Sequence, residues 1–183
     1  MAPAAYDSEQ EPLRFVTMGL GWDPVRGGRL SGGSRPEIDL NAAAALYADA
    51  QLTEVVYHEH MLSRDGTVRL LGDNLTGHGE GDDEVITIDL SLIPPSITGV
   101  ILLVTSYSGQ AFDVIENGFC RLVDGLTRRE ISRFALPAGP DHTGFVLGRL
   151  HHDDGPWQFH VIGVAIPARH PVEAIPHLPQ FLL

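Results

Sequence analysis

Residues 97–107 read Ile97-Thr98-Gly99-Val100-Ile101-Leu102-Leu103-Val104-Thr105-Ser106-Tyr107, nearly all apolar and without a charge. A short run of this kind fits a strand covered on both faces, so it is expected at the centre of a sheet. It is also far shorter than the ~20 apolar residues needed to cross a bilayer. Outward from it the pattern becomes alternation. Upstream, Ile86, Ile88 and Leu90 alternate with Val85, Thr87 and Asp89, and Ile38, Leu40 and Ala42 alternate with Asp39 and Asn41. Val55 and Tyr57 alternate less cleanly with Glu54, Val56 and His58. Downstream, Gly118, Cys120 and Leu122 share one strand face, and Phe119, Arg121 and Val123 share the other. Residues 143–151 and 157–166 read as two strands joined by His152-Asp153-Asp154-Gly155-Pro156, with Trp157, Phe159 and Val161 alternating with Gln158 and His160. In the alanine-rich span Asn41 to Gln51, helix propensity competes with a strand. Seven or eight short strands separated by turns predict an all-β fold, a two-sheet antiparallel sandwich with few short helices.

The chain of 183 residues fits one domain and can bury roughly 70% of its unfolded surface, so it needs no disulfide or metal to obtain a core. Residues 1–12 are expected to form a flexible arm, residues 13–167 the sandwich, and residues 168–183 an arm rich in proline. Pro171, Pro176 and Pro179 predict an extended tail that docks or dangles. The start, Met1 to Pro12, has neither a basic segment nor an apolar run, so a cytoplasmic protein without membrane insertion is expected.

All 12 basic residues are arginine, against 24 acidic ones, for a net charge of −12. That balance argues against nucleic acid and anionic membranes, which need clustered positive charge. The absence of lysine excludes Schiff-base and P-loop lysine chemistry. Cys120, the single cysteine, cannot pair within the chain and is expected as an inert core residue. Cations are the natural ligand.

One segment concentrates the negative charge: Gly72-Asp73-Asn74-Leu75-Thr76-Gly77-His78-Gly79-Glu80-Gly81-Asp82-Asp83-Glu84. Glycine at 77, 79 and 81 lets the backbone fold tightly around five carboxylates, and no arginine occurs between Gly72 and Cys120 to offset them. Two carboxylates ~4 Å apart repel by about 1 kcal/mol in water and several-fold more near protein. An Asp-Asp-Glu run alone is a solvated acidic turn. The alternate glycines, the Asn and Thr donors and the missing local counter-charge argue instead for a captured cation. These are hard oxygen donors, suited to Ca²⁺, whose irregular shell of 6–8 oxygens a glycine loop can supply. An EF-hand is excluded: Asp73 and Glu84 stand at its first and twelfth positions, but Leu75 and Gly77 occupy ligand positions and His78 replaces the turn glycine. Asp39 and Asn41, two apart on a strand, project to one face and can join the set. The expected calcium ligands are Asp39, Asn41, Asp73, Asn74, Thr76, Gly77, Glu80, Asp82, Asp83 and Glu84, enough to hold one or two ions, with Asp23 a further candidate.

Together, Gly19-Leu20-Gly21-Trp22-Asp23-Pro24, Ile38-Asp39-Leu40-Asn41-Ala42, the segment from Gly72 to Glu84 and Trp157-Gln158-Phe159-His160-Val161-Ile162-Gly163 resemble the TerD family of tellurium-resistance and stress-response proteins. The acidic segment departs from the family string at His78 and Glu80, and Asn41 stands where the family has a second strand aspartate. The resemblance spans about Leu13 to Gly163. It implies a β-sandwich that binds calcium through this loop and strand, without catalytic activity, in company with other stress-response proteins.

The rival reading from the sequence is a zinc-dependent hydrolase assembled from His58, His60, His151 and His152, with the acidic loop merely solvated. No Gly-x-Ser-x-Gly motif offers a serine nucleophile, and Trp22 and Trp157 are expected in the core.

Overall fold

Strand Gly99–Ser106 is buried along its whole length and lies in the middle of its sheet. In the computed structural model, which describes residues 11–23, 37–72 and 81–183, ten strands are arranged in two antiparallel sheets. They are β1 (Phe15–Gly21), β2 (Leu40–Ala48), β3 (Gln51–Val56), β4 (Val68–Leu71), β5 (Glu84–Asp89), β6 (Gly99–Ser106), β7 (Phe119–Asp124), β8 (Glu130–Ala135), β9 (Gly144–His151) and β10 (Gln158–Ile166). One sheet runs β4-β5-β1-β7-β8 and the other β10-β9-β6-β2-β3. Val100, Leu102 and Val104 of β6 point into the core between the sheets, where they meet the cluster containing Met18, Leu20, Ile86, Ile88, Cys120 and Leu122. Ile101 and Leu103 point the other way into a second, smaller core. Both faces of β6 are therefore dry, which explains its uniformly apolar sequence.

Alanine-rich residues 40–48 form strand β2 between β6 and β3. Tertiary context overrides helix propensity here. Leu40, Ala42, Ala44 and Leu46 face the main core while Ala43, Ala45 and Tyr47 face the second. Small side chains on β2 lie opposite large ones on β6, as in the pairs Ala42↔Val104 and Ala44↔Leu102.

Two expectations are corrected. Val161 keeps the register of Phe159, pairing with Gly148 as Phe159 pairs with Leu150, but it is exposed rather than buried; β10 is the edge strand of its sheet, and its pairing with β9 shifts only after Val161. The alternation holds along the strand, with Phe159 and Ala165 on the main core and Ile162 and Ile166 on the second. The tail is also not extended. Pro171–Ala174 forms a single helical turn (α1), followed by 3₁₀ turns at Ile175–His177 and Pro179–Phe181. Each proline sits at the start of its turn, where its missing N–H leaves no bond unmade. Ala168, Ala174 and Leu178 are buried against Ala43, Tyr47, Ile101 and Val146, so the tail roofs the outer face of the second sheet. Residues 1–10 of the expected N-terminal arm lie outside the described residues.

A docked tail has a measurable consequence. Leu178, fully buried, should lose about 2–4 kcal/mol of stability on Leu178→Ala, read from urea denaturation. A loss within experimental error would show that the tail does not pack. Burial pushes the Cys120 thiol up to about 12. At about pH 8 a thiol reagent should find no reactive group in the folded protein and one in concentrated guanidinium.

Candidate functional site

Gly81 to Glu84, the end of the acidic segment, is held at one end of the sandwich by backbone contacts from β1, Trp22 and β2. Gly81 takes φ +88°, and β5 then begins at Glu84, paired with Leu20 of β1. Asp83 N–H donates to the Leu20 carbonyl at 2.7 Å, and Asp83 Oδ2 accepts the Trp22 N–H at 2.9 Å. The Trp22 indole is buried and donates through Nε1 to the Ile38 carbonyl at 3.2 Å. Trp22 thus ties the acidic segment to the approach of β2. Glu84 projects inward with Ile86 and Ile88, is 0% exposed, and accepts the Ala42 N–H at Oε2, 2.7 Å. The strand β3 stops pairing with β2 at Ala44, so this carboxylate meets β2 just past the end of its neighbour.

Asp39 and Asn41 share a face, as their spacing predicts. Asn41 Nδ2 donates to Asp39 Oδ1 at 3.3 Å, and Asn41 is 1% exposed. The Asp39 backbone is fixed by two further bonds: its N–H donates to Ser108 Oγ at 2.9 Å, and its carbonyl accepts the Tyr107 N–H at 2.9 Å. Four of the ten expected ligands, Asp39, Asn41, Asp83 and Glu84, are therefore connected through Trp22, Ile38 and Ala42. Asp73, Asn74, Thr76, Gly77 and Glu80 lie outside the described residues. Asp23 turns to another loop, accepting from Asn117 Nδ2 at 2.7 Å.

Asp82 has an environment that local sequence does not disclose. Arg121 Nε and Nη2 donate to its two carboxylate oxygens at 2.9 and 2.8 Å, a bidentate pair. These hydrogen bonds hold the guanidinium above even its usual high range, against the opposing effect of burial. The segment thus receives a counter-charge after all, from strand β7. Arg121 continues to Glu130 at 3.3 Å, and Glu130 to Arg133 at 3.1 Å, whose guanidinium lies 4.4 Å from the Phe119 ring centre. Gly19, the register partner of Arg121 on β1, makes room: a Cβ there would overlap the Asp82 carboxylate. Gly21 does the same beneath Gly81 and Phe119. The two glycines before Trp22 carried this signal in the sequence, but only as motif members.

The four histidines of the hydrolase reading are not gathered into one site. His60 Nε2 lies 3.0 Å from Glu54 Oε2, and His152 Nε2 lies 3.1 Å from the Ile97 carbonyl, its ring against Trp157. Burial lowers His151 from its usual range. The structure instead sets His58 beside Glu59 and His170, a tail residue that sequence reasoning passed over.

Fold and site define a class: a two-sheet sandwich with Asp82, Asp83 and Glu84 of an acidic segment held at one end. The chain belongs to the TerD family, whose TerD domain model matches residues 4–169. It is 39% identical over 165 residues to tellurium resistance protein TerZ of Serratia marcescens, covering 88% of this chain and 85% of that protein. Stress response protein SCP2 of Bacillus subtilis (strain 168) is 34% identical over 164 residues, with 82% of each chain covered. Among solved structures, a homologue of telluride resistance protein (TerD) from Streptomyces coelicolor A3(2) matches with a TM-score of 0.77 at 26% identity, covering 88% of this chain and 95% of that one.

The Asp82–Arg121 pair is testable without any metal. Arg121→Met should lower stability by about 1–3 kcal/mol in chelator-treated buffer, since it strands a partly buried carboxylate. An unchanged denaturation midpoint would show that the pair contributes nothing.

Proposed function

We propose that this protein is a non-enzymatic calcium-binding protein of the tellurium-resistance and stress-response type, acting in the cytoplasm by presenting a metal-dependent surface to other stress-response proteins. The observation that supports this reading is that backbone and side-chain hydrogen bonds through Trp22, Ile38 and Ala42 tie the segments carrying Asp39, Asn41, Asp83 and Glu84 to one end of the sandwich. Every side-chain donor in that set is a carboxylate or amide oxygen, which fits a hard divalent cation rather than a thiolate or imidazole metal. The names of relatives such as TerZ and SCP2 support the stress-response assignment.

In this reading Asp39, Asn41 and Asp83 offer oxygens from the folded frame, Glu84 holds the loop exit from inside the core, and Asp73, Asn74, Thr76, Gly77 and Glu80 complete the site from the loop. Asp82 anchors the loop exit through Arg121. A bound calcium ion neutralises the mutual repulsion of these carboxylates and so favours the folded loop. The frame orients its share of the donors in advance: Trp22 N–H holds one oxygen of Asp83, and Ala42 N–H holds one oxygen of Glu84.

Calorimetric titration of chelator-stripped protein with Ca²⁺ tests the reading. Saturable binding is expected, together with a rise in melting temperature; at calcium 100-fold above Kd the stabilisation is about 2.7 kcal/mol. Asp39→Asn and Asp73→Asn should each remove much of that increment. Absence of binding at millimolar calcium would overturn the proposal.

A further inference from the structure

A second cluster of ligating side chains lies where the tail crosses the end of β3, built from residues that the calcium reading does not use. Strand β3 ends at Val56, and Tyr57 and His60 then exchange backbone hydrogen bonds, Tyr57 N–H to the His60 carbonyl at 3.1 Å and His60 N–H to the Tyr57 carbonyl at 2.9 Å. This closed turn presents His58 and Glu59 at its tip. His170 comes from the other side, at the residue that caps α1. Each of the three offers one ligand atom, and these atoms lie within 4.8 Å of one another. Glu59 spans the two imidazoles: Oε1 is 4.0 Å from His58 Nε2 and Oε2 is 3.9 Å from His170 Nε2. These separations are too long for hydrogen bonds. They are close to the roughly 3.3 Å that separates two ligands on a tetrahedral ion with bonds of about 2.05 Å.

The surroundings restrain the cluster. Tyr57 packs edge-on against both imidazoles at 5.2 and 5.4 Å, the imidazoles are 5.5 Å apart, and Tyr107 flanks them at 5.4 and 6.1 Å. The Tyr57 hydroxyl donates to Glu59 Oε2 at 3.0 Å, an outer contact of the kind that orients a ligating carboxylate. His58 Nδ1 is buried without a hydrogen-bond partner.

We propose that His58, Glu59 and His170 bind one divalent transition-metal ion of the zinc class, which clasps the C-terminal segment to the body of the sandwich. Two imidazoles and a carboxylate, with a fourth position left to water, are a zinc-type donor set, distinct from the all-oxygen set of the acidic loop. His58 and Glu59 lie within the matched TerD segment and His170 just beyond its end at residue 169, so the site joins the domain to the tail. The proposal is independent of the calcium reading.

Coordination at His170 Nε2 carries a definite proton rearrangement. In the structure His170 Nδ1 accepts the Val172 N–H at 3.1 Å, so the neutral ring keeps its proton on Nε2. A metal at Nε2 requires the other tautomer, with the proton on Nδ1. The ring then has no lone pair for Val172, and that N–H turns to solvent. Metal capture therefore exchanges the cap of α1 for a metal bond, with no net release of protons when the ring starts neutral.

The test uses the full chain, stripped of metal and held in excess calcium so that the acidic loop is occupied by its own ion. Titration with zinc chloride should show one saturable equivalent, and the backbone amide signal of Val172 should shift in step with it. His170→Ala and His58→Ala should abolish the equivalent, and Glu59→Gln, at an exposed position, should weaken it at least about tenfold. His60→Ala, which alters only the pair with Glu54, should bind as the parent does. If His170→Ala disturbs folding, Glu59→Gln carries the test, since it leaves the cap intact. No saturable zinc binding, unchanged affinity in Glu59→Gln, or an unmoved Val172 signal at saturation would overturn the proposal.

Discussion

A carboxylate that is 0% exposed sits between the two sheets, and much of the local structure answers to it. Burying the charge of Glu84 is costly unless donors replace the water it loses. The Ala42 N–H does so at 2.7 Å, and in doing so joins β5 of one sheet to β2 of the other. The rest of the loop exit follows from that register. With Glu84 turned inward, alternation sends Asp83 the opposite way, where it meets the Trp22 N–H. Asp82 is then delivered over Gly19 to Arg121. Three consecutive acids thus receive three different partners, although in the sequence they are one undifferentiated run.

That difference marks the limit of what was legible in the residues. Periodicity located β5, β6, β9 and β10, and the apolar run at 97–107 placed β6 at the centre, because burial on two faces leaves a direct compositional trace. Alanines 42–45 leave none: they are small enough for either element, and only their position between β6 and β3 selects the strand. Val161 alternates as its spacing predicts but is exposed on the edge strand β10, where a periodic pattern does not say how far the neighbouring sheet covers it. The prolines of the tail were read as barriers to helix, whereas each begins a turn and so breaks no hydrogen bond.

The candidate site divides in the same manner. Donor chemistry and spacing identified Asp39 and Asn41 as neighbours because they stand two residues apart at the start of β2. Arg121 was invisible as the partner of Asp82 because it is 39 residues away and reaches it across β1. His170 was passed over for a related reason. It lies in a segment read as an arm, so nothing in the sequence brings it to His58, whereas the docked tail does.

The acidic end and the imidazole cluster meet at one residue. Tyr107 follows β6; its N–H donates to the Asp39 carbonyl, and its ring packs against His58 and His170. One strand end therefore supports both groups of ligating side chains, one offering hard oxygens and the other imidazole nitrogen. The two sets differ in donor chemistry, one all oxygen and the other led by imidazole nitrogen, so they favour different classes of cation. The backbone of Asp39 is fixed by Tyr107 and Ser108. The same contact also means that a displaced tail would remove the His170 side of the Tyr107 ring and leave the acidic wall attached to a less supported strand end.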